Sequence, residues 1–137
     1  MLERIAGPTV RFTGRLPDNE VTTLFETCRA FILPGDEDFG LTPLEANAAG
    51  RPVVAFGRGG ALDTVRDGET GVLFHDATPE SLARALTQVS ERTWDARALR
   101  AHAEQFSESV FASRFNHALQ IAYENRRLGR LGADDLR

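Results

Sequence analysis

The sequence contains no lysine; all 16 of its basic side chains are arginines. That removes Schiff-base chemistry and a P-loop lysine from the functions open to this chain. A genome biased toward arginine codons explains the absence without any functional demand. There is one cysteine, Cys28, which excludes an internal disulfide and suits a reducing cytosol. It falls on the apolar face of an expected helix, where its role is packing. No apolar run approaches the roughly 18 residues that a membrane-spanning helix needs. The opening Met1-Leu-Glu-Arg-Ile lacks the charged region and apolar core of a signal peptide, so none is expected. The three histidines, His75, His102 and His117, are scattered rather than clustered. Each reads as a surface or helix residue, and no metal site is expected. The net charge of −4 argues against a nucleic-acid partner.

What is present is an alternation of strand and helix signals. At 137 residues with 42% hydrophobic content, the chain is long enough for one domain with a real core. Val10 to Thr13 reads as a short strand ending at Gly14. Asp18 or Asn19 caps a helix to about Arg29, with Val21, Leu24, Phe25 and Cys28 at helical spacing. Ala30 to Leu33 is a second strand. A helix from Pro43 to Ala49 stops at Gly50, with Pro52 beyond it. Pro52 to Phe56 is a third strand, Ala61 to Arg66 a short helix, and Gly71 to Phe74 a fourth strand. Thr78-Pro79 opens a helix carrying Leu82, Leu86 and Val89. Trp94 to Gln105 and Ser109 to Arg127 are helices without further strands, the last with a stripe of Phe111, Phe115 and Leu119 that reads most simply as core contact. The expected organisation is one α/β domain over residues 1–127, helical from 79 to 127, with a frayed tail at 128–137. The fold class is a Rossmann-like parallel sheet with helices on both faces.

Ligands of such sheets bind at the carboxyl ends of the strands. Three loops follow strand ends, Gly14 to Asp18, Pro34 to Thr42 and Gly57 to Gly60, and they should share one edge. The most informative is Glu37-Asp-Phe-Gly-Leu-Thr-Pro-Leu-Glu45, which sets two carboxylates eight positions apart around Gly40 and Thr42-Pro43. Thr42 is a suitable N-cap and Pro43 suits the first helical position. Free amides and the macrodipole at a helix start favour a phosphate. Gly40 has no Cβ, so a ligand can approach the backbone closely. Carboxylates accept hydrogen bonds from vicinal diols. A second reading stands beside this one: Thr42-x-x-Glu45 is also a capping box, and Asp36, Glu37 and Asp38 are also a solvated turn.

Taken in order, these segments resemble the C-terminal, donor-binding lobe of family 4 retaining glycosyltransferases of GT-B fold. The resemblance runs from about Val10 to Phe115. It is carried by Leu33-Pro-Gly-Asp-Glu37 through Glu45-Ala46, Gly50-Arg-Pro-Val-Val-Ala55, Gly59-Gly60 and Asp67-Gly-x-x-Gly-Val-Leu-Phe74. The wording from Phe56 to Val65 is closest to bacterial mannosyltransferases of surface-polysaccharide pathways. The resemblance implies that Glu37, the catalytic-site acid, faces the donor sugar, and that Glu45 accepts from the nucleotide ribose. It implies that the amides of Gly40, Leu41 and Thr42 hold sugar and diphosphate. Leu16 would lie against the nucleobase with Asp18 nearby, and Gly59 and Gly60 would bring backbone close to the donor. The substrate would be a nucleotide-sugar such as GDP-mannose, with no cofactor and no metal.

The sequence departs from that pattern at Asn47, often methionine in the family and here expected to be neutral packing, and at Asp63, often glutamate. Two βα units carrying an arginine and a lysine, and the whole N-terminal acceptor lobe, have no counterpart. By resemblance the chain is therefore a glycosyltransferase fragment, cytoplasmic, whose missing lobe or complementary chain completes it. The full enzyme would associate peripherally with membrane. Exposure of the Phe111 stripe would drive self-association. A non-catalytic nucleotide-binding or interaction module is the alternative. A dinucleotide-binding domain is disfavoured, because no G-x-G-x-x-G follows the first strand.

Overall fold

The computed structural model describes residues 2–127. A turn of 3₁₀-helix at Leu2–Arg4 precedes α1 (Asp18–Thr27), β1 (Phe31–Leu33), α2 (Leu41–Ala48), β2 (Val53–Phe56), α3 (Ala61–Thr64), β3 (Gly71–Phe74), α4 (Pro79–Glu91), α5 (Ala96–Glu104) and α6 (Glu108–Arg127). The three strands form one parallel sheet in the order β1-β2-β3, with Ile32, Val54 and Val72 in register. The α/β expectation holds, with helices on both faces.

The central strand explains the packing. All four residues of β2 are buried, as expected for a parallel strand covered on both sides. Val54 and Phe56, with Val72 and Phe74 of β3, pack against Ala85 and Val89 of α4. Val53 and Ala55 face the other way, onto Ala46 of α2 and Ala61 and Val65 near α3. Gly71 begins β3 because a Cβ there would collide with the Val53 carbonyl. The caps of α4 and α5 follow from local chemistry. The Thr78 hydroxyl accepts from the Ser81 amide at 3.2 Å and Pro79 fills the first turn. The Asp95 carboxylate accepts from the Arg97 amide at 2.8 Å. Helix α5 lies along α2, with Leu99 fully buried between it and the core.

Four expectations need correction. Val10 to Thr13 is not a strand but exposed coil. The described sheet ends at β1, and a short apolar run without a strand to pair with gains nothing from extended structure. Neither Asp18 nor Asn19 caps α1; Pro17 occupies the cap position with no side-chain bond, and Asp18 lies in the first turn. The Phe111, Phe115 and Leu119 stripe is not core. No residue of α6 is buried, and Phe111 and Phe115 stack on each other with centroids 5.8 Å apart, in solvent. Asn47 is more than neutral packing. It is fully buried, and its Nδ2 donates to the carbonyls of Arg51 at 2.9 Å and Thr70 at 3.1 Å, tying the end of α2 to the approach to β3. The expected tail at 128–137 lies outside the described residues.

Cys28 follows α1 and is half-buried among Phe25, Ala30 and Phe31. That burial pushes its thiol pKa up, only partly offset by the Arg51 guanidinium.

These placements separate two leucine-sized changes. Asn47→Leu, which strips one buried and one part-buried carbonyl of the Asn47 donor, should destabilise by about 1–3 kcal/mol in urea unfolding. Leu119→Ala should stay within about 0.5 kcal/mol. For Cys28, the neutral thiol is favoured in the folded chain. Stability should therefore be flat below the ordinary thiol range and fall as pH rises through it, where only the unfolded chain readily loses the proton. At pH 9, iodoacetamide should alkylate Cys28 more slowly in the native chain than in urea.

Candidate functional site

The carboxyl ends of β1 and β2 are neighbours in the sheet, so the loops leaving them meet. The Gly60 amide donates to the Glu37 carbonyl at 2.6 Å. A Cβ on Gly59 would strike that same carbonyl, and one on Gly60 would strike the Phe39 main chain. The glycine pair is thus explained first by the close passage of two protein backbones. Gly40 completes the cluster. It is buried, holds φ 77° and ψ 50°, and a Cβ there would lie 3.0 Å from Thr64 Oγ1 and 3.4 Å from the Gly60 carbonyl.

Gly40, not Thr42, is the N-cap of α2, and the helix starts at Leu41, two residues ahead of Pro43. No side chain caps it, and no hydrogen bond links Glu45 to Thr42, so the capping-box alternative is not formed. The left-handed turn at Gly40 launches the helix earlier than the proline suggested. Pro43 then occupies the third position, where its missing N–H costs nothing. The amides of Gly40, Leu41 and Thr42 donate to no group among the described residues. They form the positive end of an eight-residue helix.

Glu45 is exposed on α2, on the ridge between two grooves of about 450 Å³ each. One runs between α1 and α2 and is shared with Asp18, Thr22 and Phe25. The other runs between α2 and α5 and is shared with Leu41, Arg100 and Phe106. Glu37 lines neither groove; its side chain is exposed while its carbonyl holds Gly60. Leu16 is half-buried ahead of α1 and also lines neither. The structure therefore gathers Glu37, Gly40, Gly59 and Gly60 into one backbone cluster, and Asp18 with Glu45 into one groove. Asp63 is exposed in the first turn of α3. No group of three or more potential metal ligands occurs among the described residues. His75 and His117 are exposed, but His102 is buried and its Nε2 lies 2.8 Å from the Thr64 carbonyl. Sequence reading missed Thr64 and His102 as contributors. The only signal was the position of Thr64 four residues after Gly60, which lets its hydroxyl bond back to the Gly60 carbonyl at 2.8 Å.

Residues 1–107 match the family described as "Glycosyl transferases group 1". The chain belongs to this family. Among curated group 1 relatives, it is 32% identical over 133 residues to the D-inositol 3-phosphate glycosyltransferase of Corynebacterium aurimucosum, covering 88% of this chain and 32% of that protein. It is 42% identical over 66 residues to the alpha-1,3/1,6-mannosyltransferase ALG2 of Dictyostelium discoideum, covering 48% of this chain and 16% of that one. Among solved structures, sucrose-phosphate synthase from Thermosynechococcus elongatus superposes with a TM-score of 0.59 at 30% identity. That match covers 93% of this chain and 32% of the other. The α/β layer is accordingly part of a GT-B lobe. This group 1 glycosyl transferase chain spans about a third of the length of the first of these relatives.

The cluster generates a sharp expectation. Gly40→Ala places a Cβ in a left-handed conformation against Thr64 and should cost about 1–2 kcal/mol in urea unfolding. Ala48→Gly on the exposed side of the same helix should cost about 1 kcal/mol or less.

Proposed function

We propose that this chain is the donor-binding part of a glycosyltransferase that moves a hexose from a nucleotide-sugar to an acceptor hydroxyl with retained anomeric configuration. The observation that carries the proposal is the set of three free amides at Gly40, Leu41 and Thr42, held at the carboxyl end of β1 by the glycine clasp. Such an end favours a diphosphate. In sugar transfer, negative charge builds on the leaving diphosphate, and fixed amides stabilise it without reorganisation. Glu45 accepts from the ribose diol, with Asp18 and Leu16 toward the base. Glu37 faces the sugar hydroxyls, and Gly59 and Gly60 keep the cradle narrow.

GDP-mannose is the favoured donor, on the wording of Phe56 to Val65 and the mannosyltransferase name of one relative. The acceptor side, any peripheral membrane contact and the diphosphate-clamping cations belong to a complementary lobe or chain. The setting is the cytoplasm, in surface-polysaccharide synthesis. The second reading is a non-catalytic nucleotide-binding or interaction module, in which the same free amides hold the ligand without turnover.

Titration calorimetry with GDP-mannose, UDP-glucose and free diphosphate tests the proposal. GDP-mannose should bind, and Glu45→Ala should weaken it about tenfold or more, the value of a charged hydrogen-bond pair. Transfer on addition of a complementary lobe supports the enzyme. Binding without transfer in that pair supports the module, and no binding of either nucleotide-sugar overturns both.

A further inference from the structure

We infer that His102 of α5 is a positioning residue for the diphosphate cradle, acting through Thr64; this rests on the donor-binding reading above. Three links carry it. His102 is 4% exposed and its Nε2 lies 2.8 Å from the Thr64 carbonyl. A carbonyl only accepts, so Nε2 carries the proton and donates. Nδ1 finds no partner among the described residues, so the ring's hydrogen bonding runs entirely through Nε2. An edge-on contact with Phe106, centroids 5.3 Å apart, holds the ring in place. In the second link, the Thr64 hydroxyl donates to the Gly60 carbonyl at 2.8 Å, in a site where Thr64 is 1% exposed. In the third, the Gly60 amide donates to the Glu37 carbonyl, and Thr64 Oγ1 bounds the space left by the absent Cβ of Gly40.

The chain of contacts thus runs from α5, through a four-residue helix too short to hold its own position, to the turn that presents the free amides. α3 spans only Ala61–Thr64, and a helix of that length has almost no intrinsic stability. His102 gives its last turn an anchor on a nine-residue neighbour capped by Asp95. A histidine chosen only to fill space would be replaceable by any apolar side chain of its size. A histidine chosen for its donor would be replaceable by glutamine, whose Nε2 sits at a similar reach, but not by methionine.

The test compares His102→Gln, His102→Met and Val89→Ala in the full chain. Val89 lies in the core on the opposite face of the sheet and serves as a control for lost stability. With GDP-mannose as probe, His102→Met should bind about tenfold more weakly, the equivalent of one lost hydrogen bond. His102→Gln should stay within about twofold of the wild type, and Val89→Ala should keep its affinity although its unfolding midpoint falls. Equal affinity of His102→Met and wild type, or equal loss in His102→Gln and His102→Met, overturns the inference. Amide hydrogen exchange separates this failure from failure of the donor reading, because it needs no ligand. In His102→Met the Gly60 amide should exchange about tenfold faster relative to the β2 amides. An unchanged ratio overturns the positioning role even if no nucleotide-sugar binds. Should His102→Met not fold, Thr64→Val and Thr64→Ser probe the next link. Valine should weaken binding and speed exchange, serine should do neither, and the reverse or no difference overturns the inference.

Discussion

A single backbone hydrogen bond, from the Gly60 amide to the Glu37 carbonyl, organises everything that follows from the sheet's upper edge. It exists because β1 and β2 are parallel neighbours whose exit loops leave at the same end. It is short because Gly59 and Gly60 leave no side chain between the two loops. With the loops clasped, the chain has one way to turn into α2, through the left-handed Gly40. That fixes the helix axis, the direction of its first amides and the outward placement of Glu45. Below the clasp, Ala46 packs on Val53 and Ala55, small against medium, so α2 sits close to the sheet.

Much of this was legible in the sequence where local and tertiary signals agreed. Gly71 to Phe74 is the strand expected, because the Asp67-Gly68 turn, the apolar run and burial on both faces point the same way. Thr78-Pro79 begins a helix for reasons that need only its own neighbours, whereas the helix expected from Trp94 starts two residues later, after an Asp95 cap the reading did not single out. Where a signal depended on a partner, it misled. Val10 to Thr13 has strand-forming residues but no strand beside it among the described residues. The stripe on α6 has helical spacing, and its apolar face joins neither core cluster among the described residues.

The candidate site shows the same division. Glycines at 40, 59 and 60 could be singled out from their types and positions, yet the bodies that press on them are the main chain of the facing loop and, at Gly40, the Thr64 hydroxyl, which no spacing rule reveals. Proline at 43 pointed to the right helix and the wrong first residue, because a left-handed glycine is an equally good start. Asn47 looked like a substitution for an apolar side chain and is instead a two-carbonyl clamp. His102 sits in the last turn of α5 among alanines and arginines, and nothing in its surroundings in the chain announces a carbonyl 38 residues away. Polar residues that serve distant backbone are the class that sequence reading loses first.

Helix α6 carries 20 residues and buries none of them. With no buried residue among the described ones, its helicity rests on local propensity, and an isolated helix of that length is marginal in water. Heating or denaturant can therefore melt it while the sheet and its covering helices persist. Circular dichroism would record a gradual early loss of signal followed by a cooperative step. A single free energy fitted across both phases would describe neither.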